Sequence, residues 1–198
     1  MRVENSTSIY PVRVVIVMGV SGSGKTTIGS LLAQALNNAP FIDADSLHPP
    51  QNVQKMAHGV ALTDGDRWPW LMRVRSQLDI EATKLLKTPG THRQPLYVVC
   101  GCSALKRSYR ELLARTNTEH STGQTHDTIF VYIKVSREEL ARRLAQRKDH
   151  FFDPALLDTQ LSTLEQPDTT REAAVVVDGM PTVDQVVKEA CELIKSKV

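Results

Sequence analysis

The chain has too little cysteine for a disulfide framework: three thiols in 198 residues, Cys100, Cys102 and Cys191. Cys100 lies in an apolar run and Cys191 in a helical pattern, so they read as small hydrophobes in a reducing, cytoplasmic setting. A lone Cys-Gly-Cys triplet is no zinc signature. Neither sign of charge is in real excess. Lys and Arg total 24, Asp and Glu 22, and the net charge is +2. That balance gives no electrostatic footprint for nucleic acid or for a membrane surface. No apolar stretch approaches the roughly 18 residues of a membrane-spanning helix. Residues 1–11 are polar and mixed, lack the apolar core of a signal peptide, and read as a flexible tail. What remains is ordinary globular composition, 41% apolar and 23% charged, with a length that suits one domain over residues 12–198. A monomer and a homodimer are both compatible with it.

Against that plain background one segment stands out. Gly19 to Thr26 read G-V-S-G-S-G-K-T directly after the apolar run Val12–Met18. This is the G-x-x-x-x-G-K-[ST] pattern, in which backbone N–H groups wrap a polyphosphate and glycines permit close approach. The β-branched run before it predicts a strand, and Ile28, Leu31, Leu32, Ala35 and Leu36 predict a helix after it. Gly19, Val20, Ser21, Gly22, Ser23, Gly24, Lys25, Thr26 and Thr27 are therefore the candidate nucleotide-binding residues. Lys25 supplies a point charge to the outer phosphates and Thr26 a hydroxyl to Mg2+. The opposing interpretation is a Gly/Ser turn before a helix, with Lys25 merely solvated.

Further strand-like runs occur at Pro40–Ile42, Leu96–Cys100, Thr128–Val135 and Ala173–Val177. Helical patterns lie between them. Leu71, Val74, Leu78, Ala82 and Leu85 mark a long helix with Pro69 in its first turn, and Asp66 reads as its N-cap. Ser136–Glu139 and Thr182–Gln185 have capping-box spacing, and Asp153-Pro154 reads as N-cap and first turn of another helix. This alternation predicts an α/β fold with a five-stranded, mostly parallel sheet and helices on both faces. Residues 116–127 form a polar surface loop. In such a sheet, ligands bind beyond the carboxyl ends of the strands.

Three stretches follow those ends. Asp43 and Asp45, at i and i+2, would point to one side of a strand end: one to organise Mg2+, the other to accept a hydroxyl proton. A turn or N-cap role is the alternative. Both tryptophans, Trp68 and Trp70, lie beside Asp66 and Arg67 and suit a pocket wall, or alternatively the core. Lys106 and Arg110, at i and i+4, would share a helix face and meet an anionic acceptor, or form a solvated basic face. Farther on, Arg143 and Arg147 lie one turn apart ahead of Phe151-Phe152. They suit a helical lid at about 143–155 that closes on a transferring phosphoryl group, though a basic helix end also favours such charges.

Taken with the phosphate loop, F-I-D-A-D-S-L-H-P (41–49), N-V-Q-K-M (52–56), L-T-D-G-D-R-W-P-W-L (62–71), C-S-A-L-K-R-S-Y-R (102–110), R-K-D-H-F-F (147–152) and L-E-Q-P (164–167) resemble the gluconokinases of the small P-loop type. They occur in family order. The tail and the 116–127 insertion depart from the family without interrupting a matched motif. The resemblance implies a three-layer P-loop kinase fold like that of nucleoside monophosphate kinases. It implies phosphorylation of D-gluconate at its terminal hydroxyl, with ATP and Mg2+ as cofactors and 6-phosphogluconate as product. Chemistry and resemblance together make Lys25, Asp45, Arg143 and Arg147 the catalytic set and Thr26 and Asp43 the metal ligands. His48 and Lys55 would contact hydroxyls, and Arg67, Lys106 or Arg110 would meet the gluconate carboxylate. The rivals are a shikimate-type or nucleotide kinase on the same fold and a non-catalytic nucleotide-binding module. A regulatory GTPase is disfavoured because the chain has no N-K-x-D motif.

Overall fold

Along β1 (Val12–Met18) the side chains alternate between two cores. Val12, Val14, Ile16 and Met18 join one apolar cluster, and Val15 and Val17 join another. A strand buried on both faces needs apolar residues at every position, which is why β1 reads as a continuous run. The computed structural model describes residues 12–88, 94–115, 127–146 and 154–197. Its other strands are β2 (Phe41–Asp43), β3 (Leu96–Gly101), β4 (Asp127–Lys134) and β5 (Ala174–Asp178). They form one sheet in the order β2-β3-β1-β4-β5, with every pairing parallel. The expected runs all form strands, displaced by no more than a residue at either end.

The helices are α1 (Lys25–Ala35), α2 (Pro50–Ala57), α3 (Asp64–Lys87), α4 (Arg107–Ala114), α5 (Arg137–Ala145), α6 (Pro154–Thr163) and α7 (Val183–Ser196). On one face of the sheet, Trp70, Leu71, Val74 and Leu78 of α3 and Tyr109 and Leu113 of α4 pack against the first β1 stripe. On the other, Ile28 and Leu32 of α1 and Val186, Ala190 and Ile194 of α7 cover the second. Burying each such side chain contributes about 1.5–3 kcal/mol, so the layers hold mainly through this apolar contact. The result is the expected three-layer α/β arrangement, a parallel sheet between two layers of helices.

Two details differ from the sequence expectation. Helix α3 begins at Asp64, so Pro69 lies inside it and not in its first turn. The N-cap is Thr63, whose hydroxyl accepts from the Asp66 amide while the Asp66 carboxylate accepts from Thr63. That reciprocal pair satisfies two orphan donors and sets the start earlier than the apolar stripe alone indicates. At α5, Ser136 caps the Glu139 amide, but the Glu139 carboxylate turns to Arg142 and Arg143, so only half of the expected box forms. The Thr182–Gln185 box is complete. Asp153, the tail (1–11) and nearly all of the 116–127 loop lie outside the described residues, as does most of the expected lid segment.

Switching sides of the sheet happens at β1: the chain builds β3 and β2 on one flank and β4 and β5 on the other. The crevice at such a switch, beyond the strands' carboxyl ends, is where this architecture receives ligands.

Candidate active site

The phosphate loop leaves β1 at that crevice. Gly24, at φ 90°, is the N-cap of α1 and brings no side-chain hydrogen bond to the helix end. The first turn of α1 also holds no acidic residue. Its amide donors and the positive end of the helix dipole are thus left for an anion. Lys25 is 9% exposed and meets no carboxylate among the described residues. A buried, unpaired ammonium is costly unless an anion joins it. Gly22, at φ 84°, sits where a Cβ would meet Leu144 Cγ at 3.0 Å and the Leu140 carbonyl at 3.3 Å.

The next residue points at β2. Thr26 Oγ1 donates to Asp43 Oδ2 at 3.3 Å. Asp43 Oδ1 accepts the Asp45 amide at 3.0 Å and so caps a single 3₁₀ turn, Ala44–Leu47. Asp45 therefore stands on that turn and not on the strand, so the two carboxylates are set by the cap and not by strand alternation. The turn is fixed from below by Trp70, whose indole N–H donates to the Ala44 carbonyl at 2.7 Å. Asp45 is exposed, and its carboxylate has no hydrogen-bond or ion-pair partner among the described residues. No group of three His, Cys, Asp or Glu side chains gathers as a metal cage among the described residues. The paired oxygens of Thr26 and Asp43 fit a Mg2+ that keeps waters and phosphate oxygens for its other ligands.

The acceptor side is built around the start of α3. His48 stacks on Trp70, ring centroids 4.1 Å apart and planes 14° apart. Asn52 donates one amide hydrogen to the Asp66 carbonyl at 2.9 Å and lies 3.2 Å from His48 Nδ1. Nδ1 then accepts, which leaves Nε2 as the protonated nitrogen. Burial lowers the His48 pKa, so this neutral form is favoured, with nearby Asp45 opposing the shift. Trp70 thus belongs to the core, whereas Trp68 is partly exposed and sets its edge on Tyr109.

The cations here differ in what already holds them. Lys55 donates to Asp66 at 2.6 Å, which, with the Thr63 amide and hydroxyl, brings the Asp66 carboxyl down to about 2. Lys106 reaches both oxygens of Asp64 at 2.8 Å, and the Tyr109 hydroxyl donates to the same carboxylate. The Lys106 bond is the main reason that the Asp64 carboxyl titrates below its ordinary range. Arg67 lies over the Tyr109 ring, 6.0 Å from its centroid, and has no carboxylate partner among the described residues.

Arg110 is corrected by its surroundings. It does not share a face with Lys106, which stands at the N-cap of α4. Its side chain is 1% exposed and pairs with Glu172 through Nε at 2.6 Å and Nη2 at 3.0 Å. Nη1 donates to the carbonyls of Ala104, Leu105 and Glu165. Buried and held by Glu172 and three carbonyls, it pins the β3–α4 turn, including Ala104 at φ 45°, and is not presented to an acceptor.

Arg143 donates to Glu139 at 2.7 Å and to the Gly179 carbonyl at 2.7 Å, tying α5 to the turn after β5. The Arg142 and Arg143 bonds hold the Glu139 carboxyl at about 2. Arg147 lies outside the described residues. Asn52, Asp64 and Tyr109 were not singled out by sequence, because their roles arise from contacts between distant segments, such as Tyr109 with Asp64.

Comparison with known proteins fits this geometry. Residues 15–152 match a family model described as an AAA domain. The chain is 42% identical to a gluconokinase of Gluconobacter oxydans, covering 94% of this chain and 93% of that one. It is 40% identical to a probable gluconokinase of Xenopus tropicalis over 89% and 90%. A crystal structure of a gluconokinase from Sinorhizobium meliloti superposes with a TM-score of 0.72, at 39% identity, over 94% of this chain and 93% of that one.

Proposed function

The chain belongs to the gluconokinase family, and we propose that it transfers the terminal phosphoryl group of ATP to the terminal hydroxyl of D-gluconate, giving 6-phosphogluconate and ADP. The loop Gly19–Thr27 cradles the phosphates, and Lys25 neutralises the outer ones. Thr26 and Asp43 would hold Mg2+, which would supply electrostatic stabilisation of the charge on the phosphates. Asp45 accepts the hydroxyl proton as the new oxygen–phosphorus bond forms and the bond to the bridging oxygen of ADP breaks. Arg143 and Arg147 serve the nucleotide side. On the acceptor side, Arg67 pairs with the gluconate carboxylate, while His48, Lys55 and Lys106 orient hydroxyls. With its thiols free and a metabolite as substrate, the protein works in the cytoplasm.

One juxtaposition carries the reading. Asp43, which takes the Thr26 hydroxyl, caps the turn that carries the Asp45 carboxylate, and neither Asp45 nor the buried Lys25 of the adjoining loop has an ion-pair partner among the described residues. Arg67 on the acceptor side lies over Tyr109 and has no carboxylate partner among the described residues, which favours a carboxylate-bearing acceptor over ribose. The test is ADP release with ATP and Mg2+ across gluconate, shikimate, ribose and nucleoside monophosphates. Turnover selective for gluconate is expected. Turnover with another acceptor and none with gluconate overturns the substrate.

A further inference from the structure

We propose that Gln160 is a positioning residue for the phosphate loop, gripping it from α6 so that its amides are pre-set for the polyphosphate. Gln160 Oε1 accepts the Ser21 amide hydrogen at 2.7 Å, and Gln160 Nε2 donates to Ser21 Oγ at 3.0 Å. Two bonds from one planar carboxamide to one residue fix both position and orientation. The partners are 139 residues apart, so the grip joins the two ends of the fold at the site.

The residues on either side of Ser21 are seated on the same support. Val20 is 3% exposed and shares an apolar cluster with Leu140 and Leu144 of α5 and Leu157 of α6. Gly22 is held so close to Leu144 that a Cβ would crowd it. Three consecutive loop residues are thus located by apolar contact, by hydrogen bonds and by steric fit. The Ser21 amide is already spoken for, and the Ser23 amide donates to the Val20 carbonyl at 3.2 Å, which leaves the donors from Gly24 onward to the ligand. Such a loop binds well only if its amides are aligned beforehand; a loop that must be ordered on binding loses affinity. Gln160 touches no substrate in this scheme and acts through Ser21.

The proposal rests on the kinase reading to the extent that the loop binds a nucleotide. Calorimetric titration of ADP with Mg2+ needs neither acceptor nor turnover and separates the two. The variants are Gln160→Met, which keeps side-chain length but removes both bonds, Ser21→Ala, which removes one, and the double variant. Expected are about tenfold weaker ADP binding for Gln160→Met and about threefold for Ser21→Ala. The double variant should be no weaker than Gln160→Met alone, since the bonds are shared. KM for gluconate should not move. Unchanged ADP affinity in Gln160→Met, additive losses in the double variant, or a lower melting temperature with normal ADP affinity each overturns the proposal. If Gln160→Met does not fold, Ser21→Ala decides it, and normal ADP affinity there is equally fatal. Failure of the unaltered protein to bind ADP overturns the kinase reading itself, and the proposal with it.

Discussion

Thr26, at the head of α1, donates its hydroxyl to the Asp43 carboxylate at the end of β2, across 3.3 Å and 17 residues of chain. The parallel sheet brings them together, with β3 set between β1 and β2. Under the proposed function, these two oxygens would hold a divalent ion without a full protein cage. Asp43→Asn removes charge from that pair and also weakens the cap on the Asp45 amide. It is expected to raise the Mg2+ concentration for half-maximal activity by about tenfold or more, with a smaller change in ATP affinity measured without metal. An unchanged Mg2+ requirement contradicts the pairing.

Asp45 is assigned the proton. Asp45→Asn is expected to lower kcat by about 10²–10⁴, while ADP binding followed by calorimetry stays near normal. Turnover close to that of the unaltered protein removes the residue from this role.

Arg67 and Lys106 are expected to behave differently. Lys106 is already bound by Asp64, whereas Arg67 meets no carboxylate among the described residues. Arg67→Gln should raise KM for gluconate by about 10–100-fold with little effect on KM for ATP. Lys106→Gln should cause a smaller rise. The reverse order would move the carboxylate to Lys106.

Arg110 is expected to matter for folding. Truncation to Arg110→Ala leaves Glu172 largely buried without its cation, at a cost of about 3–5 kcal/mol in urea unfolding. Replacing both partners, Arg110→Met with Glu172→Leu, should recover much of that loss. If Arg110→Ala instead leaves stability unchanged and raises only KM for gluconate, the buried-pin account is wrong.

The same pairs set the acid response. Asp66 and Glu139 both have folded-state pKa values of about 2, from ordinary values of 3.8 and 4.5, and Glu172 is also lowered by Arg110. Depressed carboxyls contribute stability that is complete above the unfolded pKa and is lost as pH falls through the folded one. The melting temperature should therefore be flat above about pH 5 and fall progressively toward pH 2. A melting temperature that holds steady between pH 4 and pH 2 contradicts these pairings.

The sheet was legible because β1 to β5 are written as short apolar runs, and local sequence suffices to mark those. The phosphate loop was legible because its chemistry lies within eight consecutive residues. Helix α2 was not anticipated: its apolar residues Val53 and Met56 are exposed, so it shows no core-facing stripe. The i, i+4 spacing of Lys106 and Arg110 misled, because Lys106 precedes the helix while Arg110 turns inward to Glu172. Burial of that kind depends on a partner 62 residues away, which no local pattern reveals. The reach of Asp43 to Thr26 was readable only in outline, since its 3₁₀ cap is a turn geometry and not a periodicity.

Phosphorus NMR of a reaction with ATP, Mg2+ and D-gluconate tests the central claim most directly. A new phosphomonoester signal should grow in step with ADP and stop when gluconate is exhausted. Release of inorganic phosphate alone, or ADP formation at the same rate without gluconate, would contradict transfer to the sugar acid.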